Sequence, residues 1–140
     1  MPQRDPAKDI KAALADWYTA EEASAAATLE VPDDYTPTAG QPLLLVADDG
    51  GGPVTGGPWL AGRDLLRITI RLTAFAAGRT EARTTVTAAT DHLLAAKPAG
   101  ITRIENVPAV LETRDRETGA YLASITMPVV VRPLTATPEE

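Results

Sequence analysis

The sequence predicts an α+β domain: a mixed or antiparallel sheet of about four strands, with two helices packed on one face. Three observations lead there. Residues 66–75 alternate apolar and polar side chains with the two-residue period of a half-buried strand. Two segments, at about 6–20 and 80–97, repeat apolar side chains at helical spacing. Two runs rich in β-branched residues, 101–113 and 120–132, close the chain as a hairpin. Strands split around a helix favour α+β over a regular alternation of the two.

Asp5 and Pro6 open the first helix. An aspartate caps free backbone N–H groups, and proline suits the first helical position because no donor is needed there. Ile10, Ala13, Leu14 and Trp17 then form one apolar face, with Lys8, Lys11 and Asp16 off it. Residues 28–31 read as a short strand. Pro32, Pro37, Gly40 and Pro42 then break regular structure. Residues 42–47 are a continuous apolar run that fits a buried strand or a helical fragment. Residues 48–64 contain six of the ten glycines and two prolines, and predict a long flexible loop between two strands. In the next strand Leu66, Ile68, Ile70, Leu72 and Ala74 share one face, and Arg67, Thr69, Arg71 and Thr73 the other. Ala82, Val86, Ala89 and Leu93 stripe the second helix, which Pro98 and Gly100 end. Residues 114–119 finish in glycine, as a hairpin turn does. Beyond them Tyr121, Ala123, Ile125, Met127, Val129 and Val131 share a face. Residues 133–140 read as a frayed acidic tail.

The chain has 140 residues, a length that predicts one domain with its own core. It has no cysteine and one histidine. Disulfides, thiol catalysis and cysteine metal sites are thereby excluded, and triad chemistry is disfavoured. No run of 18 apolar residues exists, so no membrane-spanning helix is expected, and the N-terminal residues lack the apolar stretch of a secretory signal. The net charge of −6 argues against a sequence-specific nucleic-acid partner. The charge is uneven. Residues 1–49 carry ten acids and three bases, whereas residues 50–140 carry nine acids and ten bases.

Few residues suggest chemistry. Residues 50–57 resemble a phosphate loop only in glycine content: no lysine follows, and the next element is a strand. Asp33-Asp34 and Asp48-Asp49 lack the alternating spacing of a calcium loop and read as turn formers. His92 has only the adjacent Asp91 in sequence, which points elsewhere on a helix, so it reads as a partly exposed helix residue. Trp17 and Tyr18 read as core and core edge. No catalytic residue, cofactor or metal is expected. The most informative charged set is Arg63, Arg67, Arg71, Arg79 and Arg83, read as one half of a subunit–subunit interface. Trp59, with Leu60, Asp48 and Asp49, reads as a partner-contact loop, since tryptophan concentrates binding energy.

Several segments in order carry a family likeness: residues 31–37 (VPDDYTP), 45–51 (LVADDGG), 68–71 (ITIR), 77–83 (AGRTEAR), 115–119 and 121–126 (YLASIT). Together they resemble the tail terminator proteins of long-tailed, siphovirus-type phages and prophages of actinobacteria, over about residues 5–133. Ten arginines against three lysines suit a GC-rich genome. The resemblance implies a small non-enzymatic α+β subunit of the virion, sited at the neck-proximal end of the tail and assembled in the host cytoplasm. It implies a homo-oligomeric ring, a hexamer, that caps the tail tube, stops its growth and joins the head–tail connector protein. The alternatives are a head–tail connector (neck) ring subunit and a small ligand-binding or enzyme domain.

Overall fold

The computed structural model describes residues 5–53, 66–98, 100–105 and 109–131. Helix α1 spans Pro6–Ala20, as its capping signals predict. The Asp5 side chain accepts the Lys8 N–H at 3.2 Å, and Pro6 occupies the first turn. Strand β1 (Ala26–Thr28) follows, then β2 (Leu43–Pro53), β3 (Leu66–Ala76), helix α2 (Arg79–Ala95), β4 (Ile101–Ile104), β5 (Leu111–Arg114) and β6 (Tyr121–Val131).

The six strands form one mixed sheet in the order β1-β2-β3-β6-β4, with β5 also on β6. Only β1 and β2 run parallel, and the other pairings are antiparallel. Strand β6 pairs with β3 over its whole length on one side. Its other side is shared, with β5 along Tyr121–Ser124 and β4 along Val129–Val131.

Both helices cover the same face. Leu44 and Val46 of β2, Ile70, Leu72 and Ala74 of β3, and Ala123, Ile125, Met127 and Val129 of β6 are buried there. They meet Ile10, Leu14 and Tyr18 of α1 and Ala82, Val86, Ala89 and Leu93 of α2 in one hydrophobic cluster. Burial of these apolar side chains is the main stabilising term, at about 1.5–3 kcal/mol for each large residue. Burial pushes the Tyr18 phenol up to about 12. The two helices also touch through Trp17 and His92, whose rings stack with centroids 4.4 Å apart.

Four sequence expectations require correction. The sheet has six strands rather than about four. Strand β2 runs on to Pro53, into the segment expected to be loop. The physical reason is β3, whose eleven residues need a partner along their length. A bulge between Asp48 and Gly51 lets β2 stay in register with Ile68, Arg67 and Leu66. Residues 54–64 of the expected loop lie outside the described residues. The short strand lies at Ala26–Thr28 rather than 28–31, because Ala26 already bonds the Pro42 carbonyl. The expected strand over 101–113 is two short strands, β4 and β5, divided between the two ends of β6. The tail at 133–140 lies outside the described residues.

Candidate subunit interface

Alternation along β3 sends Arg67, Thr69, Arg71 and Thr73 to the face away from the helices. The register places Leu43, Leu45 and Ala47 of β2 and Leu122, Ser124, Thr126 and Val130 of β6 beside them, with Phe75 at the end. At the centre, the Thr73 and Ser124 hydroxyls share a hydrogen bond of 3.0 Å. The Tyr35 ring packs edge-on against Phe75, 5.9 Å between centroids, and draws the 29–42 connection across that end. Burial, then the negative charge of Glu81, pushes the Tyr35 phenol above its ordinary value.

Arg67 and Arg71 stand on this outer face, each with a carboxylate partner. Arg67 donates from Nε to Glu105 Oε1 at 2.7 Å, and Arg103 Nη2 lies 2.9 Å from Glu105 Oε2. The hydrogen bond from Arg67 holds the Glu105 carboxyl below the usual range. These three side chains, with Ile104 and Pro128, line an open hollow of about 630 Å³. Arg71 Nη2 lies 2.7 Å from Asp49 Oδ2. Arg67, Arg71 and Arg103 remain 44%, 51% and 60% exposed, so these pairs leave each guanidinium open to a second partner.

Arg79 and Arg83 are elsewhere. They sit one turn apart on α2 and both hold Glu112 of β5, on the helix-covered side of the sheet. The hydrogen bond from Arg79 keeps the Glu112 carboxyl low. The clamp ties the edge strand to the second helix. The five arginines singled out by sequence therefore do not form one patch. Two are on the outer face, two grip β5, and Arg63 lies outside the described residues. Asp48 and Asp49 belong to strand β2 rather than to a loop, and Trp59 and Leu60 lie outside the described residues.

Sequence reasoning missed Glu105 and Glu112 as ion-pair centres. The signal was weak: each is a single acid near a stretch rich in β-branched residues. It also missed the Trp17–His92 stack, which joins residues 75 positions apart. Chemically, the arrangement offers guanidinium groups that can each take a further carboxylate, and a face of mixed apolar and hydroxyl side chains. Among the described residues, no group of three or more His, Cys, Asp or Glu could hold a metal ion. No helix among them is long and apolar enough to cross a membrane. No protein-family model matches this chain, and no curated protein is significantly similar to it.

Proposed function

We propose that this chain is a tail terminator of a long-tailed actinobacterial phage or prophage. In this reading it forms a homo-oligomeric ring, a hexamer, that caps the tail tube, ends its polymerisation and presents a surface to the head–tail connector. It acts in the virion at the neck-proximal end of the tail, by binding alone, with no cofactor.

The one-sided build of the subunit carries the reading. The helices seal one face of the sheet. The other face carries half-buried Leu45, Phe75 and Leu122 beside exposed Arg67 and Arg71, and beyond the 29–42 connection at its Phe75 end no helix or second sheet covers it among the described residues. Such a face, with arginines at its margin, suits contact with another protein better than capture of a small ligand. A ring needs two unlike patches on each subunit, and the uneven charge of the chain supplies a second, acidic one. The segments that carry the family likeness fit this frame. Residues 45–51 lie in β2, residues 68–71 in β3, residues 77–83 at the start of α2, and residues 115–119 in the turn before β6. Trp59 and Leu60 belong to the same proposal, as residues of the β2–β3 connection that would meet tube or connector.

Negative-stain images of the chain, free and mixed with cognate tail tubes, test this. Rings with a central hole are expected, in solution or on tube ends. Single subunits in both settings would overturn it.

A further inference from the structure

We propose that neighbouring copies join edge to edge: the outer edge of β5 in one copy adds to the outer edge of β2 in the next, so that one sheet continues across the boundary. The proposal rests on the ring reading above and names the contact that builds the ring.

The backbone sets which groups face out. Ala26 donates its N–H to the Pro42 carbonyl at 3.2 Å, so residue 42 turns its backbone groups toward β1. The two-residue period turns Leu44 and Val46 the same way. Strand β1 ends at Thr28, opposite Leu45. Beyond that point the β1 side of β2 continues to Pro53 with no strand beside it among the described residues. At the other end of the sheet, Asp115 donates its N–H to the Ala120 carbonyl at 2.8 Å. Thr113 and Leu111 therefore also face β6, and Arg114 and Glu112 direct their N–H and C=O groups outward. No described strand lies beyond them. Uncovered edges of this kind recruit strands.

A second copy is the occupant that the charges favour. From residue 12 to residue 62 the chain has eight acids and no lysine or arginine, and this stretch builds most of α1, β1 and β2. Around the opposite edge the charges balance, with Arg79, Arg83, Arg103, Arg114 and Arg116 against Glu81, Glu105, Glu112, Asp115 and Glu117. Arg114 lies over the Tyr121 ring at 4.9 Å, and neither it nor Arg116 has a carboxylate partner among the described residues. The acidic excess disfavours β2 against β2, and the Arg114 and Arg116 guanidiniums favour β5 against β2. The joined edges are unlike, so the contact is head-to-tail and propagates until rotation closes it into a ring.

Two variants and a cross-link test the contact. Arg114→Pro removes an N–H that the fold does not use, and proline is tolerated at such an edge position. Arg114→Ala keeps that N–H. The chain has no cysteine, so Ala47→Cys on β2 and Thr113→Cys on β5 each carry a single thiol. The mixture of these two, with a short bismaleimide, is expected to give cross-linked dimer that neither gives alone. Arg114→Pro is expected to lose the ring and run at the 14.7 kDa monomer mass, while Arg114→Ala still assembles. Circular dichroism reports whether Arg114→Pro folds, and if it does not, the cross-link decides. Intact rings without the mixed cross-link would overturn the edge contact and leave the ring reading standing. A Thr113→Cys variant that cross-links to itself would also overturn it. A wild type with no species above monomer, free or on tubes, would overturn both.

Discussion

Glu112 shows how one residue can join two elements. It leaves the edge strand β5 and accepts from two arginines of α2, which hold its carboxyl in the ionised form. A carboxyl whose folded pKa lies below its unfolded value contributes stability that is present above the unfolded value and is lost as pH falls toward the folded one. The relevant window begins at about pH 4.3, the ordinary glutamate value, and extends downward. Glu112→Gln should therefore flatten the acid limb of a urea-midpoint-against-pH profile below about pH 4.3. An unchanged acid limb would show that the clamp adds nothing to stability. The sequence grouped Arg79 and Arg83 with Arg63, Arg67 and Arg71 as one half of an interface. It did not reveal the anchor of Arg79 and Arg83, because residue 112 reaches them only through the pairing of β5 with β6.

The same boundary between local and distant causes runs through the elements. The bounds of helix α1 were legible, because its cap Asp5, its proline and its apolar repeat are local; its buried face was legible at Ile10 and Leu14, whereas Tyr18 rather than Trp17 lies in the core. The strands β3 and β6 were legible as well, because alternation is intrinsic to the segment. The extension of β2 through Gly50–Gly52 was not. Glycines weaken a strand in isolation, and here the length of β3 and the bulge after Asp48 decide. The turn between β5 and β6 was read correctly from Gly119, which adopts φ +77°. A Cβ built there meets nothing within 4 Å, so the cost of a side chain is that of the left-handed backbone alone. Gly119→Ala should lower the urea-derived stability by about 1 kcal/mol, and Gly119→Asn by less. Equal losses for both would point to a contact at the turn rather than to its backbone.

For the whole molecule, the α+β class and the placement of both helices against one core were legible from periodicity. The strand count was not, because β1, β4 and β5 are three or four residues long and take their identity from β2 and β6. The candidate interface was legible only in part. Alternation indicated Arg67 and Arg71 on a strand face, whereas the separation of the arginines into two groups depends on which face of which element each one occupies. The functional account joins these scales: a sheet sealed on one side, open along two unlike edges, and acidic in its first third. A subunit built in this way is suited to repeat around an axis and to stop a growing tube by occupying its end. The rate of tube elongation, measured by imaging tail tubes supplied with fresh tube protein, tests that claim most directly. Adding this chain is predicted to place a ring on one end of each tube and to halt growth there. Tubes that lengthen at the same rate with and without it would contradict the account.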